Sequence, residues 1–221
     1  MGFKEVWLRG SFGPSIRPFT TLREPLVPRH LHRHLSRFVL PVVAAAAILA
    51  PVPQASAQGD ALSATSAVHV RDQYIADLDS LHAKFVALAN AIPEDKYGWR
   101  PAPGVRSVSE VLMHVASEWF FYVPQSVGGA PPADFGPPRE TLKRLETITK
   151  KSEVLDQMAK SWSHARAQVA GVDATKLTGK YKPWDTTIDQ AALGMAGDLH
   201  EHLGQLIAYA RSVGVKPPWS K

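Results

Sequence analysis

From about Ala64 to Ala91, the residues Val70, Tyr74, Ile75, Leu78, Leu81, His82, Phe85 and Leu88 recur at intervals of three and four. A helix turns once in 3.6 residues, so this spacing lines one face with apolar groups and demands a second apolar surface to cover it. Three later segments repeat the pattern between clusters of Pro and Gly, and none alternates residue by residue as a half-buried strand does. The second predicted helix opens on "SVSE", where Ser107 can cap free amides while Glu110 reaches back, and runs to Pro124. A third, highly charged helix is predicted over 140–169. The fourth starts near Ile188, with Thr186 or Thr187 as cap, and ends at Gly214 before "KPPWS". Four amphipathic helices of about 20 to 30 residues predict an all-α fold, and a four-helix bundle is their natural packing solution.

The helices leave 1–57 outside the domain. "RHLHRHLSR" precedes the short apolar run "FVLPVVAAAAIL" (38–49), and "APVPQASAQ" follows it. A basic, then apolar, then small-residue order describes a secretory signal, with Ala55-Ser56-Ala57 placing cleavage before Gln58. The run falls short of the roughly 20 apolar residues that span a bilayer, so no stable membrane anchor is expected. The domain is therefore expected over 58–221, in the periplasm or secreted, with His30, His32 and His34 lost with the leader.

Charge and cysteine content narrow the chemistry. Residues 1–57 hold seven Lys/Arg and two Asp/Glu out of totals of 25 and 20, which leaves 18 of each sign in the remainder. The net charge of +5 thus belongs to the leader, and the neutral domain is not expected to bind nucleic acid. The chain has no cysteine, so disulfides, thiolate metal sites and cysteine nucleophiles are excluded.

Polar residues on otherwise apolar helix faces mark the candidate site. In "GDLHEHLGQLIAYAR" (197–211), Asp198 and His202 are one turn apart and share a face, whereas His200 projects elsewhere. Gln205 continues the face of His202. In the second helix, His114 sits among Val111, Val115 and Trp119, with Glu118 one turn beyond it. His114, Asp198 and His202 make a facial set of two imidazoles and a carboxylate, which suits zinc, nickel or iron(II). Glu118 and Gln205 would stand behind them and orient the imidazoles. Spacing alone equally allows a metal-free binding or structural bundle in which these groups form a buried hydrogen-bond network.

"WRPAPGVRSVSEVLMHVA" (99–116), followed by "HEHLGQLIAYAR" (200–211), resembles the DinB-like superfamily. These are four-helix bundles related to thiol-dependent S-transferases and to the mycothiol-dependent maleylpyruvate isomerase. The resemblance covers residues 64 to 218. It implies a divalent metal held by one His of the second helix and a His-x-x-x-His pair of the fourth, matched here by His114 and His202. Asp198 occupies the position where the commoner pattern has His. An exported member lacks ready access to the low-molecular-weight thiols of the cytoplasm. The expectation is therefore an exported metal-binding bundle, a metal-dependent hydrolase or transferase of an unnamed small molecule. A homodimer is compatible with the sequence, which fixes neither substrate nor assembly.

Overall fold

The computed structural model describes residues 62–220, which lie in the second of two units of the chain, Ala61–Lys221. The expected leader, signal run and cleavage point fall outside the described residues. Six α-helices follow in order: α1 (Ala64–Ala91), α2 (Val108–Phe120), α3 (Tyr122–Ser126), α4 (Pro138–Glu146), α5 (Lys151–Ala170) and α6 (Ile188–Ser212). Among the described residues no helix is long and apolar enough to cross a membrane.

The long helices α1, α2, α5 and α6 build the bundle core. Leu78, Leu81, Phe85 and Leu88 of α1 meet Val111, Leu112, Val115 and Trp119 of α2; Met158 of α5 and Leu199, Leu203 and Leu206 of α6 close the cluster. Each fully buried side chain of this kind contributes roughly 1.5–3 kcal/mol. Val70, predicted on the inner stripe of α1, is instead 37% exposed.

The helix boundaries follow local chemistry. Ser107 Oγ accepts from the Glu110 amide at 3.3 Å, and the Ser107 amide donates to the Glu110 carboxylate at 2.7 Å, forming the predicted capping box. At the other end of the chain, α6 stops at Ser212 and Gly214 takes φ +80°. Val215 N–H donates to Ala210 C=O at 2.8 Å and Gly214 N–H to Arg211 C=O at 3.0 Å, the paired bonds of a Schellman stop.

The predicted 140–169 helix is two helices, α4 and α5, separated at residues 147–150. Thr147, Ile148 and Thr149 are β-branched and hold a helix poorly. The break also gives Lys151 a task at the neighbouring helix end. Its Nζ donates to Asn90 C=O at 2.7 Å and Ile92 C=O at 2.8 Å, beside the carbonyls that the end of α1 leaves open. Thr187 does sit at the N-cap of α6, but its hydroxyl donates to the Asp189 carboxylate and caps no amide. Before it, Lys180–Tyr181 and Thr186–Thr187 pair as a minimal antiparallel ribbon, which the sequence did not reveal.

Candidate metal centre

Helices α2 and α6 bring the site together. On α2, Val111, Val115 and Trp119 are fully buried, which turns His114 and Glu118 inward beside them. On α6, Leu199, Leu203 and Leu206 anchor the inner face and carry Asp198, His202 and Gln205 along its edge. The His114 and His202 side chains are 16% and 15% exposed, while that of Glu118 is 4% exposed.

Both imidazoles point at the same carboxylate oxygen. Nε2 of His114 lies 3.1 Å from Glu118 Oε1, and Nε2 of His202 lies 3.4 Å from that atom. The two rings meet edge to face, centroids 4.7 Å apart and planes at 80°. His114, Glu118 and His202 each offer a ligand atom within 4.8 Å of the others. Among the described residues this is the compact His/carboxylate group.

The sequence placed Asp198 in the set and Glu118 behind it. In the structure Asp198 Oδ2 stands 3.8 Å from His202 Nε2, beside the group, and Glu118 occupies its centre. Periodicity could not separate these two carboxylates, because each lies one turn from an imidazole on its own helix. Burial separates them: Glu118 is enclosed, and the Asp198 side chain is 24% exposed. His200, as expected, projects away and pairs with Asp77 of α1 at 3.0 Å. Tyr122, at the start of α3, belongs electrostatically to the site. Burial, and then the charges of Glu118 and Asp198, push its phenol up.

Proton placement within the group is set by charge. Burial alone would push the Glu118 carboxyl up, but hydrogen bonds from His114 and His202, and their charges, hold it far below the carboxylate range. Burial would lower His202, yet the hydrogen bond and charge of Glu118, with help from Asp198, push it up to about 9. Asp198 is pushed up to about 7, by burial first and then by the charge of Glu118. The site therefore keeps one deeply buried anion and gathers protons around it.

His202 is oriented from behind. Its Nδ1 lies 3.2 Å from Gln205 Oε1, and Gln205 Nε2 donates to Tyr209 Oη at 3.0 Å. With Gln205 accepting, Nδ1 carries a proton and Nε2 is directed into the site. Within the His114–Glu118–His202 group, two buried atoms remain without a hydrogen-bond partner, His114 Nδ1 and Glu118 Oε2. A buried carboxylate oxygen left over beside two convergent imidazole nitrogens is a donor set that fits a borderline divalent cation.

The DinB superfamily model matches residues 77–206. The chain belongs to the DinB superfamily. The match runs from α1 into α6 and includes His114, Glu118, Asp198, His202 and Gln205. Among curated proteins none matches this DinB-superfamily chain. A DinB four-helix arrangement accounts for the facing of α2 and α6 across the site, since bundles build such sites from side chains on neighbouring helices.

Proposed function

We propose that this DinB-superfamily protein binds one divalent cation, zinc or nickel, with iron(II) also suited, through His114, Glu118 and His202, and acts there on a small molecule. The observation that supports this most is the convergence of both Nε2 atoms on Glu118 Oε1, with His202 Nδ1 engaged by Gln205. In the neutral tautomer that Gln205 favours, His202 Nε2 presents a lone pair to a carboxylate. That contact is repulsive unless a proton or a cation lies between them. A divalent ion held there would supply Lewis-acid polarisation, the chemistry of metal-assisted hydrolysis or group transfer. Around it the chain's own groups divide the remaining work. Gln205 and Tyr209 orient His202, and Asp198 stands at the open edge, 3.8 Å from His202 Nε2, where its carboxylate would accept a proton or a hydrogen bond.

Metal analysis and competitive zinc titration of protein purified without a His tag test this reading. Near-stoichiometric metal is expected. Glu118→Gln should weaken zinc by about 100-fold, as expected for loss of one ligand, and Asp198→Asn by roughly tenfold, as expected of an outer group. The reverse order would restore Asp198 to the ligand set. The second reading is a metal-free network, favoured by the same ion pairing, since a protonated His202 beside ionised Glu118 also satisfies both groups. A protein that takes up no zinc after reconstitution is that network.

We further infer export. The signal pattern over 29–57 implies a mature N-terminus at or near Gln58. Intact mass of the protein recovered from the native cell envelope checks this, and a cytoplasmic product retaining 38–57 refutes it.

A further inference from the structure

The apolar stripe of α1 continues past the core to Val70 and Tyr74, where it borders a cavity of about 420 Å³. Ala192 and Ala196 of α6 line the same cavity, and Val127, Val172 and Leu177 complete its wall. The stripe calls for an apolar surface opposite it, yet α6 presents only two methyl groups there. Val70 is 37% exposed and Leu193, which also lines the cavity, is 73% exposed. This face of α6 is not the one that carries the metal centre. Ala192, Ala196 and His200 follow one another at one-turn spacing towards α1, where His200 meets Asp77, whereas His202 faces Glu118 of α2.

A cavity of this volume lies within the range of about 300–1,000 Å³ typical of small-molecule sites. At roughly 30 Å³ for each water-sized group, it takes about 14 heavy atoms. Aliphatic walls select an aliphatic chain. The polar lining selects the head group. Five polar side chains border the cavity, His69, Arg71, Gln73, Asp77 and Asp189. The two acids are engaged within the protomer. Both oxygens of Asp77 lie 3.0 Å from His200 Nε2, and Asp189 accepts from the Thr187 hydroxyl and the Gln190 amide. The donors are not engaged in this way, since the side chains of His69 and Gln73 have no hydrogen-bond partner. Arg71, with a side chain only 26% exposed, directs Nε and Nη2 at one oxygen of Asp72 and leaves Nη1 without a partner. An available guanidinium edge flanked by two further donors matches a carboxylate. An ammonium group would find only acids that are already paired.

We propose that the cavity between the N-terminal halves of α1 and α6 binds a medium-chain aliphatic carboxylate. The chain lies between Val70 and the two alanines, and the carboxylate rests on Arg71 with His69 and Gln73 beside it. The site stands apart from the metal centre and does not depend on its occupancy.

Calorimetric titration of the purified protein with octanoate, decanoate, decanol and decyltrimethylammonium tests this. Each buried methylene is worth about fourfold in affinity, so decanoate should bind about 15-fold more tightly than octanoate. Arg71→Gln should weaken decanoate about tenfold and change decanol by less than about twofold. Ala196→Leu places three further carbons in the cavity and should weaken both decanoate and decanol by about 50-fold. Ala192→Leu makes the same test at the neighbouring turn should the first variant lose its helical content by circular dichroism. Zinc uptake is expected to be unchanged in all three variants. Equal affinity for octanoate and decanoate overturns the proposal, as does decyltrimethylammonium bound as tightly as decanoate. Decanoate binding indifferent to Arg71→Gln, or to a folded alanine-to-leucine variant, overturns it too. A protein that ignores free decanoate but sediments with phosphatidylglycerol vesicles, or forms a dimer that Leu193→Lys dissolves, has a membrane or self-contact here instead, and the proposal fails.

Discussion

Replacing His202 by alanine is expected to lower zinc affinity by about 100-fold or more, whereas His200→Ala changes it by less than about fivefold. Zinc held by four ligands at roughly 10–16 kcal/mol gains about 3 kcal/mol from each, which is a factor of about 100 in affinity. His202 supplies a convergent Nε2 and is the residue that Gln205 and Tyr209 orient. Its removal also leaves Glu118 with His114 as its only imidazole partner, so a buried carboxylate loses half of its compensation. His200 lies two residues away, on the opposite side of α6, and its exposed pair with Asp77 is of a kind worth at most about 1 kcal/mol. Competitive titration of both variants against a chromophoric chelator separates the two cases, with circular dichroism confirming that each folds. Comparable losses in the two variants would show that the cation sits elsewhere.

The contrast between these two histidines was available from spacing alone, and so was the bundle. Leu78, Leu81, Phe85 and Leu88 announce the buried face of α1, and Ser107 with Glu110 announces the start of α2, because both signals are local. The split between α4 and α5 was less legible. The stripe of Leu145, Met158 and Ala165 continues across it, and the break serves a contact between Lys151 and the end of α1, about 60 positions earlier in the chain. The site divides in the same way. Periodicity found His114, Asp198, His202 and Gln205 as faces of single helices. Which carboxylate occupies the centre depends on how α2 and α6 face one another, a tertiary quantity that neither helix encodes by itself. Tyr122 was obscured for a related reason: it follows Phe121 at the junction of α2 and α3, where the helical register that places a side chain is reset.

Without metal, the site should make stability fall as pH rises from about 6 to 9.5. His202 has a folded-state value pushed up to about 9, above its ordinary value of about 6.5. A raised group of this kind contributes stability that is complete below the unfolded value and is lost as pH climbs through the folded one. Asp198, raised to about 7 from about 3.8, acts in the same direction over a lower range. Glu118 is depressed, so its contribution is present above the ordinary carboxylate value and is lost only in strong acid. The chelated protein is therefore expected to be most stable near pH 5 and to weaken by at most about 6 kcal/mol towards pH 9.5, about half of it from each raised group. For a domain of this size that is a fall of at most about 20 °C in Tm. Saturating zinc should flatten the decline, because the cation takes the place of the protons that compensate Glu118. Glu118→Gln should flatten it as well, by removing the charge that raises His202. Thermal melts in chelator and in zinc, from pH 5 to 9.5, measure all three curves. A chelated protein whose Tm is level across that range would mean that His202 does not carry the proton, and equal slopes with and without zinc would mean that the cation binds away from Glu118.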